Sequence, residues 1–307
     1  MRIAVMGAGG VGGYFGGLLA GAGNEVALIA RGAHLQAIRS RGLRVKSQRG
    51  DFNISVEATD DPRQVGPVEM VLLSVKTYQN AATIPILTPL VGESTSLLTL
   101  QNGVEGHEEL AQVVGHERVL PGSAYVETHI ESPGVISQRG DVARIVFGET
   151  SGQRTPRAQR ILETFQTAGI PTDLSNDVVK ELWTKFLFIC TLAGVTSTAR
   201  APMSQLLQHA EARETILAVM REVEAVGRAR GVNLDVDVVE RTMEYVETTA
   251  KDLQASMHTD LELGRPLELE ALNGAVVRMG QQGGVPTPVN RLLYSLLVAH
   301  KDGAVHQ

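Results

Sequence analysis

The sequence holds one cysteine in 307 residues, so no internal disulfide can form and a small cross-linked scaffold is excluded. That residue, Cys190, closes the apolar run Phe186-Leu187-Phe188-Ile189-Cys190 and reads as a buried, inert thiol in a reducing, cytoplasmic compartment. Aromatic residues are also scarce, at 4% against 43% hydrophobic residues overall. The core must then be built from Val, Leu, Ile and Ala, which favours parallel sheet and helix over sandwiches and aromatic stacking modules. No apolar run approaches the roughly 20 residues that span a bilayer, so a membrane partner is not expected. Nor is there an excess of basic charge: 28 Lys and Arg face 34 Asp and Glu, a formal net charge of −6, with both signs interspersed. Nucleic acid is therefore not expected as a partner either. The histidines at positions 34, 107, 116, 129, 209, 258, 300 and 306 form no ligand spacing, and no metal is expected.

At roughly 150 residues per domain the length suits two domains. The opening MRIAVMGAGGVGGYFGGLLAGAG superficially imitates a secretory signal, but its glycines interrupt the continuous apolar helix such a segment needs. Short apolar runs alternate with helical stretches through the first half, which is the pattern of a parallel sheet with crossovers. Strands are expected over 2–6, 25–30, 70–75 and 96–100, with helices near 11–22, 33–40, 80–90 and 106–114. Residues 43–47 and 52–58 flank Arg49-Gly50-Asp51 and read as an inserted hairpin. Residues 122–148 look strand-rich, with turns at Ser132-Pro133-Gly134 and Arg139-Gly140-Asp141, and read as an extension at the edge of the sheet. After Ile170-Pro171-Thr172-Asp173 strand alternation stops and helical patterns take over. Ser175 or Asn176 can cap a helix running into the 190s, and further helices are expected over 211–230, ended by Gly231, 237–249 and 287–300. The expected domains are 1–173 and 174–307.

Gly7-Ala8-Gly9-Gly10-Val11-Gly12 matches G-x-G-x-x-G between an expected strand and an expected helix. In that context Gly7 makes the tight turn, Gly9 admits a pyrophosphate to the backbone, and Gly12 lets helix pack on strand, with the helix N-terminus facing the phosphates. The plain alternative is a glycine-rich turn without a ligand. An NAD-binding strand usually ends on an acidic side chain for the ribose hydroxyls, but here the second strand ends Ile29-Ala30-Arg31-Gly32. The Arg31 guanidinium offers a fork of donors suited to a 2′-phosphate, which favours NADP; the alternative is a solvated loop arginine.

Lys185 is the only ionisable residue apart from Cys190 between Leu182 and Ala199, among apolar and small polar side chains. Burial would lower its pKa toward the range useful for proton transfer, and a nearby carboxylate would push it back up. The alternative is a surface ion pair with Glu181 at i,i+4 spacing. If Pro266 opens a further helix, Glu268 shares the face of Ala271, Leu272, Ala275, Val276 and Met279, while Glu270 falls with Asn273, Val277 and Gln281. Glu268 is then the carboxylate on the apolar stripe, or one placed to meet the helix dipole. Asn102 in Leu100-Gln101-Asn102-Gly103, and Lys76 and Gln79 in another segment, end strands where ligand groups gather in open parallel sheets; each also fits an ordinary turn.

These residues in this order resemble the ketopantoate reductase (2-dehydropantoate 2-reductase) family. The motifs that carry the resemblance are GAGGVG, Ser74-Val75-Lys76-Thr77-Tyr78-Gln79, Leu100-Gln101-Asn102-Gly103, Glu181-Leu182-Trp183-Thr184-Lys185, and the stretch from Ser256-Met257 through Glu268 to Asn273-Gly274. The resemblance implies an α/β Rossmann-type N-terminal domain followed by an all-α C-terminal domain, with NADPH and a 2-oxo acid meeting between them. It implies Lys185 as general acid and Glu268 as its partner or a substrate contact, with Ser256 and Asn102 binding substrate. Gly7, Gly9, Gly10, Gly12, Arg31, Lys76 and Gln79, again with Asn102, would form the cofactor site. The implied reaction is reduction of a 2-oxo acid to a 2-hydroxy acid, with ketopantoate the first candidate; a homo-oligomer is compatible with the sequence. The family typically carries asparagines one and two turns after the lysine, where this chain has Ile189 and Ala193, so a more apolar 2-oxo acid competes as substrate. A non-catalytic NADP(H) sensor, and a dehydrogenase that condenses an amine with the 2-oxo acid, are the other readings. Lys185 with Glu268 argues against the sensor, which needs neither.

Overall fold

The computed structural model of the chain describes residues 1–250 and 252–304; Lys251 and residues 305–307, among them His306, lie outside the described residues. The chain divides into two compact units, Met1–Gln101 with Glu105–Val178, and Asn102–Val104 with Val179–Gln307.

The first unit carries ten strands: β1 (Arg2–Met6), β2 (Glu25–Ile29), β3 (Leu43–Ser47), β4 (Phe52–Ile54), β5 (Glu57–Thr59), β6 (Val68–Leu73), β7 (Val91–Thr99), β8 (Val119–Ser132), β9 (Val135–Phe147) and β10 (Thr172–Leu174). They lie in the order β4-β3-β9-β8-β7-β6-β1-β2-β5, with β10 beside β9. From β5 to β8 every pairing is parallel. Helices α1 (Gly10–Gly21), α2 (Gly32–Arg41), α3 (Asn80–Thr83), α4 (Gly106–Val114) and α5 (Pro156–Thr167) belong to this unit. Alternation along β1 explains its composition. Ile3 and Val5 enter a core with Phe15 and Leu19 of α1, while Ala4 and Met6 enter a second core with Leu97 and Leu110. A strand covered on both faces has to be apolar throughout, as Ile3-Ala4-Val5-Met6 is.

β1 sits between β2 and β6, so the chain leaves β1 toward one side of the sheet and returns on the other. The segments following β1 and β6 diverge there, and ligand-binding crevices form at such points, beyond the carboxyl ends of the strands.

Four local expectations are corrected. Residues 52–58 do not form one arm of a hairpin: β4 pairs antiparallel with β3 at one edge of the sheet, and β5 pairs parallel with β2 at the other. Residues 122–148 are not an edge extension, because β8 and β9 lie inside the sheet with β3 and β4 beyond them. Arg139-Gly140-Asp141 is not a turn between strands but an irregularity within β9, where the register with β8 jumps from Val126↔Ala143 to Glu127↔Arg139 and Gly140 takes φ +71°. Residues 80–90 do not make one helix: α3 stops at Thr83, and Pro85 and Pro89 leave only a 3₁₀ stretch, Ile84–Leu90.

The second unit is helical: α6 (Val178–Ala199), which opens at the division, then α7 (Met203–Leu206), α8 (Ala210–Ala229), α9 (Val238–Thr248), α10 (Ser256–Glu262), α11 (Asn273–Gly283) and α12 (Pro288–Leu297). One core joins them, built around Trp183, Phe186, Met220, Val223, Leu269 and Val276. The expected helix from Pro266 through Met279 is also corrected: a 3₁₀ turn, Glu268–Glu270, precedes α11, and Leu272 at φ −106°, ψ −106° breaks the two apart. β10 straddles residue 173, and the division between units falls at Val178. Among the described residues no helix is long and apolar enough to cross a membrane, and no three His, Cys, Asp or Glu side chains group to hold a metal ion.

Candidate active site

The glycine loop follows β1 directly. Gly7 has φ +101°, and a Cβ there would lie 2.6 Å from Val75 Cγ1 and 2.9 Å from the Val75 backbone nitrogen. A Cβ on Gly12 would fall 2.1 Å from the Gly7 carbonyl oxygen, and one on Gly10 would fall 2.7 Å from the Thr128 carbonyl oxygen of β8. The protein's own backbone thus demands these three glycines. Around Gly9, by contrast, nothing lies within 4 Å of an added Cβ, so this glycine borders open space. Gly9 is also the N-cap of α1 and supplies no side-chain cap, which leaves first-turn N–H groups and the positive end of the helix dipole for an anion. The loop is held from behind. Gly7 and Ala8 donate N–H bonds of 3.2 and 3.1 Å to the Ile29 carbonyl oxygen, and Ser74 Oγ donates to the Gly7 carbonyl oxygen at 2.9 Å. A tethered backbone with one open glycine fits a dinucleotide pyrophosphate.

Arg31 follows β2 as the N-cap residue of α2, exposed, with no hydrogen-bond or ion-pair partner for its guanidinium among the described residues. Lys76 and Gln79 are half-buried in the turn after β6, where Gln79 donates its N–H to the Lys76 carbonyl oxygen at 2.9 Å. Sequence reasoning missed two contributors to this loop, Thr128 over Gly10 and His34. The His34 ring, half-buried on α2, meets the Ala8 carbonyl oxygen through Nε2 at 2.8 Å and accepts the Gly134 N–H on Nδ1 at 3.1 Å. Burial holds its pKa below the ordinary histidine value, although the Ala8 bond opposes this.

In the helical unit the structure brings together three of the candidates. Lys185 Nζ donates to Asn102 Oδ1 at 3.2 Å, and Asn102 Nδ2 donates to Glu268 Oε2 at 3.4 Å. Both side-chain groups of one asparagine are thereby engaged, the oxygen by a cation and the nitrogen by a carboxylate. The alternative that Lys185 serves a surface pair with Glu181 gives way to this arrangement. Burial of the ammonium lowers the Lys185 pKa from 10.5 to about 8, and the charge of Glu268 works in the opposite direction. Glu268 is itself buried, at 4% exposure, a placement that a carboxylate tolerates only with partners. The Asn102-Gly103 turn reaches it because Gly103 adopts φ +96°; a Cβ there would lie 2.9 Å from the Ala271 carbonyl oxygen.

The supports of this site were not legible as site residues. Trp183, two residues before Lys185, lies against Gly227 of α8, where a Cβ would come within 2.8 Å of Trp183 Cε3. Gly194, the one glycine of α6, faces Asn273, the first residue of α11. A Cβ on Gly194 would be 2.6 Å from both terminal amide atoms of that asparagine. Asn273, expected on the polar side with Glu270, is instead fully buried and donates Nδ2 to Asn290 Oδ1 at 3.0 Å. Glu222 in turn accepts the backbone N–H groups of Val289 and Asn290 at 2.8 and 2.9 Å, capping the start of α12. The close seat of α6 on α11 gives a measurable consequence. Gly194→Ala should lose stability by about 1–3 kcal/mol in urea unfolding, although alanine is the better helix former, because Asn273 has no room to yield. A stabilised variant would show that the seat is loose.

Ser256 is exposed at the first position of α10, and the structure does not bring its hydroxyl into hydrogen bond with Lys185, Asn102 or Glu268. Ile189 is half-buried, and Ala193 is buried in the helical core.

Residues 3–152 match the family described as Ketopantoate reductase PanE/ApbA, and residues 177–301 match Ketopantoate reductase PanE/ApbA C terminal. The chain belongs to the ketopantoate reductase family. It is accordingly an oxidoreductase, with the parallel-sheet Rossmann-type domain and the helical domain of that family. Among its relatives, a 2-dehydropantoate 2-reductase of Mycobacterium tuberculosis is 34% identical over 249 residues, 79% of this chain and 80% of that one. The crystal structure of a PanE/ApbA family ketopantoate reductase from Ralstonia eutropha JMP134 superposes with a TM-score of 0.90 at 34% identity, covering 98% of each chain. The same fold occurs in a D-mandelate dehydrogenase solved with NADH and anilino(oxo)acetate, at a TM-score of 0.90, 23% identity and 98% coverage of each chain. Membership of the ketopantoate reductase family supports a nicotinamide cofactor.

Proposed function

We propose that the protein is an NADPH-dependent reductase that converts a 2-oxo acid to the corresponding 2-hydroxy acid, with 2-dehydropantoate (ketopantoate) as first substrate. The observation that carries the reading is the desolvated Lys185 ammonium, joined through Asn102 to the buried carboxylate of Glu268. When bound, the nicotinamide cofactor supplies hydride to the carbonyl carbon. Lys185 supplies the proton: as charge builds on the carbonyl oxygen, Nζ stabilises it and then donates to it, giving the hydroxyl. The atoms balance, since 2-oxo acid, NADPH and one proton give 2-hydroxy acid and NADP⁺, and the neutral amine regains its proton from solvent. Glu268 opposes the effect of burial and so keeps the lysine charged near neutral pH. Asn102 fixes the ammonium in place and contacts substrate and cofactor, and Ser256 is a further substrate contact. Gly7, Gly9, Gly10 and Gly12 form the cofactor loop, with Gly9 bordering the pyrophosphate and the other three shaping the backbone around it, and Lys76 and Gln79 flank it.

Arg31 selects NADPH. The fold alone does not choose, since a protein of the same fold is held with NADH, but here an unpartnered guanidinium stands where a ribose-binding carboxylate would be. Charge-assisted bonds to a phosphate are worth roughly 1.5–3 kcal/mol, so Arg31→Ala should raise the Michaelis constant for NADPH about tenfold or more and leave that for NADH nearly alone. An unchanged NADPH constant would refute the assignment.

A second reading within the same chemistry is favoured by Ile189 and Ala193: a more apolar 2-oxo acid replaces ketopantoate. NADPH oxidation across a panel of 2-oxo acids that includes ketopantoate tests both. Tight NADPH binding with no turnover on any of them would leave a non-catalytic NADP(H) binder.

A further inference from the structure

We propose that His34 is a positioning residue for the cofactor's phosphates, aiming the Gly9 N–H by holding the carbonyl on the other side of the same peptide. The inference rests on the reading of the glycine loop as the cofactor site. Both ring nitrogens of His34 meet backbone groups whose roles are fixed. The Gly134 N–H can only donate and the Ala8 carbonyl can only accept, so Nδ1 is the bare nitrogen and Nε2 carries the hydrogen. The imidazole is therefore neutral and of one tautomer. It ties the glycine loop to the turn between β8 and β9, at the point where Gly134 adopts φ +79° against Ala37 of α2.

The peptide between Ala8 and Gly9 is planar and trans, so its C=O and N–H point in opposite directions. With the Ala8 oxygen held at 2.8 Å by His34, the Gly9 N–H is directed away from α2, at the one loop glycine that borders open space. Ser74 holds the neighbouring Gly7 carbonyl, and the Ala8 N–H behind it goes to Ile29, so the two preceding groups of the loop are already committed to the protein. Gly9 is thus the residue whose amide direction depends on the imidazole. A free glycine would sample several orientations, and ordering it on ligand binding costs affinity.

Protonation would put a hydrogen on Nδ1 against the Gly134 N–H, two donors facing one another, and the ring would have to leave one of its partners. Other titratable and charged groups stand on the elements around it. They are Tyr14 on α1, Arg31, Arg39 and Arg41 at the start and along α2, Tyr125, Glu127, His129 and Glu131 on β8, Arg139, Asp141 and Arg144 on β9, and Arg44 and Lys46 on β3. Of these Glu131 is paired with Lys46, Arg39 with Asp60, and Arg41 reaches the Pro133 carbonyl oxygen. The ring's own hydrogen-bond partners are both backbone. Because burial lowers the His34 pKa, the neutral latch persists through neutral pH, and it opens on the acid side, below the ordinary histidine value near 6.5.

Calorimetric titration of the full-length protein with NADP⁺ between mildly acidic and mildly alkaline pH tests this without turnover. His34→Ala should weaken NADP⁺ binding at neutral pH by roughly three- to tenfold, the worth of one net hydrogen bond. His34→Gln, which offers a donor and an acceptor and does not titrate, should bind within about threefold of wild type by the same reckoning. Its affinity should also fall less steeply on acidification. The ligand's own 2′-phosphate titrates near pH ~6 in both proteins, so the difference between the two profiles isolates the imidazole. Identical acid limbs in wild type and His34→Gln, or wild-type affinity in His34→Ala, would overturn the proposal. Thermal unfolding of the cofactor-free variants separates a general loss of stability from a loss confined to binding. A wild-type protein that binds NADP⁺ at no pH would remove the cofactor reading itself, and this inference with it.

Discussion

Lys185→Ala should remain folded and bind NADPH, yet reduce its 2-oxo acid roughly 10²–10⁴-fold more slowly, the usual cost of losing a general acid. The fold has little reason to suffer. A desolvated ammonium is an expense to the native state rather than a source of its stability, as the drop in its pKa from 10.5 to about 8 records. Circular dichroism and a cofactor titration supply the controls, and the loss should fall on kcat and kcat/KM together, because the proton moves only as the carbonyl is reduced. The pH profile carries the same signature. A lysine acting as acid works while protonated, so kcat/KM for reduction should hold below pH about 8 and fall about tenfold per unit above it. In Lys185→Ala that alkaline limb should vanish. Near-normal turnover in the variant would show that the lysine is only structural.

The second large effect concerns the substrate. Ile189 and Ala193 follow Lys185 by four and eight residues on α6 and so share its side of the helix. On the second reading, a substrate hydroxyl held against them without a partner costs roughly 1–3 kcal/mol, so ketopantoate should trail its deoxy analogue, 2-oxo-3,3-dimethylbutanoate, by about one to two orders of magnitude in kcat/KM. The double variant Ile189→Asn, Ala193→Asn should swing the ratio back toward ketopantoate. Ala193 is buried in the helical core, so an amide there has to find its own partners; Ile189→Asn alone is the milder test and should move the ratio in the same direction. A strong wild-type preference for ketopantoate would mean that another group already holds the hydroxyl.

Much of the first unit was legible because its signals are local. β1, the glycine loop and α1 follow one another within the first 21 residues, and a strand apolar at every position announces burial on both faces. The failures lie where the deciding partner is remote. Nothing within residues 52–58 says that Phe52 pairs with Val45 while Ala58 pairs with Leu28 across the sheet. Pro85 and Pro89 carry a local warning against a helix there, which the expectation of one over 80–90 did not take into account. Helical periodicity placed Glu268 among apolar neighbours although the residue belongs to a separate 3₁₀ turn. Spacing could not show its link to Lys185, which only the family resemblance implied, since the link runs through an asparagine 83 residues from one and 166 from the other. His34 left no trace in the pattern of side chains, because what it holds is backbone.

Asn102, Gly103 and Val104 are numbered with the sheet yet belong with the helices, and this bears on how the chain can be recombined. A chimera joined at Val178 would inherit Lys185 and Glu268 from one parent and the asparagine between them from the other. Such a hybrid works only where the foreign turn brings an asparagine followed by a residue able to sit at φ +96° beneath the Ala271 carbonyl. The smallest transferable cassette for this chemistry is thus discontinuous: the helical half together with three residues borrowed from the other.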